Sequence, residues 1–174
     1  MILADRGKDP MLPTFIGIGA QRAGTTWIHN CLAQHPDVFM AEAKELHYFY
    51  AHYDRGPDWY RSQFAGAGQA IARGEITPDY MYSPEALANI ARDLPEIKLF
   101  AVLRNPVDRA ISAYALRQER NAGLSFGDAC RRFPALIERG DKRYVAVALC
   151  ESTEGSKILE RLIVALDDCV APPP

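Results

Sequence analysis

At 174 residues, with 48% hydrophobic and 24% charged side chains, the chain is one domain's worth of ordinary globular composition, and this excludes a disordered segment. A net charge of −2 excludes a general nucleic-acid binder, whose phosphate contacts require a strongly basic balance. Cys31, Cys130, Cys150 and Cys169 are far apart, with no CxxC pair and no histidine at ligand spacing, so neither a disulfide framework nor a zinc site is expected.

Residues 1–13 read as a flexible leader. Their charges and prolines leave no apolar core for a signal peptide, and no run in the chain reaches the length of a membrane span. The expected setting is therefore reducing and cytoplasmic, with no membrane partner. The apolar run Phe15-Ile16-Gly17-Ile18-Gly19 is short and bounded by a Gly-rich turn, which predicts a buried strand. Apolar residues at 27, 28, 31 and 32 then give a helix that begins at Thr25 and stops before His35-Pro36.

Residues 36–70 carry a weaker pattern. Pro57-Asp58-Trp59-Tyr60 and Phe64 predict a short helix with proline in its first turn, its aromatics serving the core or a cleft wall. Gly74-Glu75-Ile76 reads as a short strand with Glu75 a polar residue at its end, and Ser83-Pro84-Glu85 opens a helix running to about Leu94. Ile97 to Leu103 is a second clear buried strand, stopped by Arg104-Asn105-Pro106. Helices are expected from Val107 to about Asn121 and from Phe126 to about Glu138. Strands alternating with helices imply βαβ units, hence an α/β fold of P-loop-like, three-layer α/β/α type around a parallel sheet.

The turn after the first strand is Gly19-Ala20-Gln21-Arg22-Ala23-Gly24-Thr25-Thr26. Backbone N–H groups in such a turn, backed by the positive end of a helix, form an anion site, and glycines let the anion approach the backbone. The spacing is that of a G-x4-G phosphate loop, but Thr25 stands where a nucleotide triphosphatase needs lysine, and the basic residue is Arg22, inside the loop. The next clear strand leads to Arg104 rather than to a metal-binding aspartate. The pattern therefore suits an anion that needs neither a triphosphate tail nor a metal, and it counts against a P-loop kinase-like phosphotransferase.

On these residues the chain resembles the sulfotransferases that use 3′-phosphoadenylyl sulfate, in particular their bacterial and heparan-type carbohydrate branch. The resemblance implies that Gln21, Arg22, Ala23, Gly24, Thr25, Thr26 and Trp27 bind the 5′-phosphosulfate of the donor. The family usually carries lysine at the position of Arg22; arginine keeps the charge with a different geometry. Leu103-Arg104-Asn105-Pro106…Ser112 is similar to the family's 3′-phosphate motif, in which Arg104 and Ser112 would clasp one phosphate. Arg109 and Arg117 read more simply as solvated helix faces or ion pairs. Lys44-Glu45-Leu46-His47-Tyr48-Phe49 resembles the family's Lys-Glu-Pro-His-Phe-Phe stretch, with Leu46 in place of proline. That similarity makes Glu45 the general base, gives Lys44 and Arg22 charge stabilisation at the transferred group, and lets His47 touch the acceptor. His29 is expected to be structural.

The implied reaction transfers a sulfuryl group to a hydroxyl or amine of a carbohydrate or small molecule, without a metal. The resemblance covers residues 14–139, read as the donor-binding domain. Residues 140–174 depart from it: no basic loop closes the site, and Ile158, Leu159, Leu162, Ile163 and Leu166 mark one amphipathic helix. The expectation is a C-terminally short or divergent member, with a sheet that such a shortening would leave incomplete at that end. Such a chain is either a working enzyme or a non-catalytic nucleotide-binding fragment, and an uncovered sheet edge would favour self-association.

Overall fold

The computed structural model describes residue 9, residues 11–116, residues 125–128 and residue 131. Four strands, β1 (Phe15–Gly19), β2 (Val38–Met40), β3 (Ala72–Ile76) and β4 (Lys98–Ala101), form one sheet in the order β2-β3-β1-β4. Every neighbouring pair is parallel, with Ile16 opposite Glu75 on one side and Leu99 on the other. The α/β class and parallel sheet expected from the sequence are present. Because the chain places β2 and β3 on one side of β1 and β4 on the other, the carboxyl ends of β1, β3 and β4 open into one crevice, where ligands of open α/β sheets bind.

Between the strands run α1 (Thr25–Ala33), α2 (Gly56–Ser62), α3 (Pro84–Asp93) and α4 (Pro106–Leu116). Helix α3 starts where Ser83 Oγ accepts from Ala86 N at 3.2 Å, with proline in the first turn whose missing N–H costs nothing there. At α4 the Asn105 side chain accepts from Val107 N at 3.0 Å, so Asn105-Pro106 supplies both cap and first-turn proline. A single turn, Tyr53–Arg55, precedes α2, and a 3-10 turn, Pro78–Tyr82, follows β3. Among the described residues no helix is long and apolar enough to cross a membrane.

The core is aliphatic along β1 and aromatic beneath it. Ile16, Ile18 and Ile76 are fully buried, and Tyr48 stacks on Tyr60 with ring centroids 4.4 Å apart. Phe49 and Phe64 close on the same Tyr60, so the aromatics of α2 are core residues, as their spacing suggested. A Cβ on Gly17 would lie 2.6 Å from the Phe100 ring and 2.9 Å from Ile76, so β1 can pass between its neighbours only with glycine there.

Three expectations change. Strand β2 was not read from the sequence, because three residues at a sheet edge are too few to show a period. Strand β4 ends at Ala101, two residues before Leu103, which is exposed. The leader does not run loose to residue 13: Leu12 lies in the core, its carbonyl accepts from Arg73 Nε at 2.9 Å, and Asp9 pairs with Arg61 at 3.1 Å. The helix expected from Phe126 is present over 126–128 with Ser125 as cap. Its continuation, the end of α4 beyond Leu116, Arg117, and the segment 140–174 lie outside the described residues.

Candidate functional site: an anion loop and an acceptor-side carboxylate

Helix α1 begins at Gly24, which holds φ 97° and offers no side-chain acceptor, and the first turn contains no acidic residue. The N–H groups of Thr25, Thr26 and Trp27 are thus left without a side-chain cap at the positive end of a helix, which is the local chemistry an anion meets best. Arg22 also sits in the left-handed region, at φ 66°, and its side chain is exposed. Thr25 is buried and Thr26 exposed, while the Trp27 ring is 70% exposed. The base of the loop is tied down: Ala23 N donates to Ala20 O at 3.2 Å, and Gln21 N donates to the Tyr82 hydroxyl at 3.1 Å.

The second motif comes to the first. Arg22 Nε donates to Ser112 Oγ at 3.0 Å, and an Arg104 terminal nitrogen donates to Arg22 O at 3.3 Å. Ser112 lies in the second turn of α4 and Arg104 in the segment joining β4 to it, so the crevice at the strand ends gathers two guanidinium groups and a hydroxyl. Ser112 receives Arg22 on its oxygen and keeps its own proton to give. Uncapped helix N–H groups, two arginines and the Ser112 hydroxyl are a set of donors suited to an anion. Arg109 is half-buried near Tyr82 rather than on a fully solvated face. His29, expected to be structural, lies 3.4 Å from the Ala41 carbonyl through Nε2.

Lys44, Glu45 and His47 form a second group. Lys44 Nζ is ion-paired with Glu45 Oε1, and His47 Nε2 lies 3.8 Å from Glu45 Oε2. Glu45 and His47 adopt left-handed backbone, at φ 66° and 52°, with buried Leu46 between them. This is costly for residues bearing a Cβ, and the surroundings hold it. Glu45 N donates to Ile76 O at 3.1 Å, and His47 N meets Thr77 Oγ1 at 3.4 Å.

Underneath lies Glu75, 1% exposed, whose carboxylate accepts from Thr77 Oγ1 at 2.7 Å, Tyr80 OH at 2.9 Å and Tyr60 OH at 3.1 Å, and also from the backbone of Leu46. Burial pushes this carboxyl up to about 7, against the opposing pull of those four hydrogen bonds. Glu75 therefore does not line the crevice; it anchors the Lys44–His47 segment from below.

Sequence reasoning gave neither Tyr50 nor Asp79 a role of its own. The Gln21 side-chain amide donates to Asp79 Oδ1, Tyr50 OH donates to Asp79 Oδ2 at 3.3 Å, and the same phenol oxygen lies 2.8 Å from His47 Nδ1. These contacts join the anion loop to the acceptor-side group. No motif spacing announces them, since both residues sit among other tyrosines and turn residues. Among the described residues no cluster of three or more His, Cys, Asp or Glu is placed to hold a metal ion.

Sequence and fold both resemble known proteins. The model of the family described as "Sulfotransferase family" matches residues 13–81. The crystal structure of a sulfotransferase from Alicyclobacillus acidocaldarius superimposes with a TM-score of 0.71 at 27% identity, covering 87% of this chain and 68% of that one. Over these residues the chain is similar to sulfotransferases. Heparan sulfate glucosamine 3-O-sulfotransferase 6 of Homo sapiens is 38% identical to this chain over 112 residues, 64% of the chain and 32% of that protein. The membrane-associated sulfotransferase kil1 of Dictyostelium discoideum is 35% identical over 111 residues, 62% and 24% respectively. The chain thus spans between a quarter and a third of the length of the curated relatives it matches.

Proposed function

We propose that this chain binds 3′-phosphoadenylyl sulfate at the crevice and transfers its sulfuryl group to a hydroxyl or amine of an acceptor, with carbohydrate the class to which the relatives' names point. The observation that carries the reading is the convergence of Arg22, Arg104 and Ser112 beside the uncapped start of α1. The donor supplies a sulfur centre already activated by a phosphate that leaves as a weak base. Arg22, the N–H groups of the loop and the Thr25 and Thr26 hydroxyls bind that end and stabilise the negative charge that grows there. Arg104 and Ser112 hold the 3′-phosphate, fixing the nucleotide at its other end.

Glu45 takes the proton from the acceptor as the acceptor's oxygen or nitrogen bonds to sulfur and the sulfur–oxygen bond to phosphate breaks. Its Oε1 is held by Lys44, which orients the carboxylate and places a positive charge beside the transferred group. His47, on the same segment, contacts the acceptor.

The test is turnover of labelled donor by the full chain with glycan and small-alcohol acceptors, with Arg104→Ala as control. Sulfated product lost in the control supports the proposal. Tight donor binding without turnover by any acceptor would make the chain a non-catalytic binding module instead.

A further inference from the structure

Asp79 belongs to neither sequence motif, yet each oxygen of its carboxylate is engaged by a different half of the site. Gln21 of the anion loop donates to Oδ1 and Tyr50 donates to Oδ2 at 3.3 Å. Tyr50 has one proton, and its oxygen also lies 2.8 Å from His47 Nδ1. A carboxylate only accepts, whereas an imidazole nitrogen can accept or donate. Both contacts of Tyr50 are satisfied together in one arrangement: Tyr50 donates to Asp79, and His47 Nδ1–H donates to Tyr50.

Burial, followed by the neighbouring Asp79, pushes the Tyr50 phenol up to about 12, so it keeps the proton that this arrangement needs. The arrangement fixes the hydrogen at Nδ1, while His47 Nε2 lies on the side of Glu45, 3.8 Å from Oε2. That edge is open to a group brought by an acceptor.

We propose that Asp79 is a positioning residue: one oxygen holds the anion loop through Gln21, and the other, through Tyr50, holds His47 as its Nδ1–H tautomer. The proposal rests on the reading of Gln21 as part of the donor site and of His47 as an acceptor-side residue. Through Asp79 a disturbance on the donor side is felt at His47, although the two are far apart in sequence. Asp79 itself touches neither reactant.

The experiment uses the full chain labelled with 15N. Long-range proton–nitrogen correlation spectra report which imidazole nitrogen carries hydrogen, and His47→Asn identifies the His47 signals. Calorimetric titration with adenosine 3′,5′-bisphosphate reports the donor side. The wild type is expected to show the Nδ1–H form. Asp79→Asn moves it toward Nε2–H and weakens the bisphosphate about tenfold, the loss of one charge-assisted hydrogen bond. Tyr50→Phe moves the tautomer but leaves the affinity within about twofold, because Gln21 keeps its partner. Gln21→Ala does the reverse.

An Nε2–H form in the wild type overturns the proposal, as does an Asp79→Asn variant that changes neither readout. If Asp79→Asn does not fold, Tyr50→Phe and Gln21→Ala cut the same two contacts from their other ends and decide the matter. If the wild type binds no bisphosphate, the donor-site reading fails, while the tautomer still decides whether Asp79 holds His47.

Discussion

Arg22 Nε donates to Ser112 Oγ at 3.0 Å across 90 residues of sequence, and this contact joins the loop after β1 to α4. Arg22 lies in the loop after β1 and Ser112 in the helix that follows β4, so both stand beyond the carboxyl ends of neighbouring parallel strands, where an anion-binding crevice would need them. If the pair acts as a unit, its effects on binding are not independent. Arg22→Ala and Ser112→Ala are each expected to weaken adenosine 3′,5′-bisphosphate by about tenfold, and the double variant by clearly less than the product. Calorimetric titration of the four proteins checks this; effects that simply multiply would show that the two side chains act separately on the ligand.

Gly24 is the other structural commitment of the loop. It holds φ 97° and a Cβ there would meet nothing within 4 Å, so replacing it carries a backbone cost and no clash. Gly24→Ala is expected to lower stability by about 1–2 kcal/mol and to weaken the bisphosphate, because the first N–H groups of α1 turn away from the anion. A thermal melt and a binding isotherm on the same sample check both.

The loop and its partner motif were legible in the sequence because they carry punctuation. Glycines at fixed spacing mark a tight turn, and Asn105-Pro106 marks a helix start. Strands β1 and β4 were legible from apolar runs long enough to have no other use. Strand β2 was not, being three residues at a sheet edge. Glu75 was visible as a polar residue at a strand end, but its burial beneath three hydroxyls depends on where α2 and the turn after β3 pack. Asp79 and Tyr50 were given no role for the same reason: their partners are 58 and 29 residues from Asp79, and only the folded chain brings them together.

Glu75 makes the stability of the fold depend on pH. Its carboxyl is raised from 4.5 to about 7, so the folded state holds the proton more tightly than the unfolded state. The resulting stabilisation is fully present below about pH 4.5 and is lost as pH rises through 7. Relative to Glu75→Gln, which cannot titrate, the wild type is expected to lose up to about 3 kcal/mol across that window. Urea unfolding of both proteins from pH 4.5 to 8 checks the difference. Glu75→Ala, which leaves three buried hydroxyls without their acceptor, is expected to cost about 3 kcal/mol or more.

In the proposed mechanism Glu45 serves the chemistry and not donor binding. It is partly exposed, paired with Lys44, and makes no contact with Arg22, Arg104 or Ser112. Glu45→Gln is expected to lower turnover by about 10²–10⁴-fold while leaving adenosine 3′,5′-bisphosphate affinity unchanged. Initial rates under saturating donor, set beside a titration, check both halves.

The proposed donor recognition rests on the 3′-phosphate of the nucleotide, held by Arg104 and Ser112. Its most direct test compares adenosine 3′,5′-bisphosphate with adenosine 5′-monophosphate, without metal, on the wild type and on Arg104→Ala. The wild type should prefer the bisphosphate by about 30-fold or more, and Arg104→Ala should erase most of that preference. Equal affinity for the two nucleotides, or tighter binding of magnesium-ATP than of the bisphosphate, would contradict it.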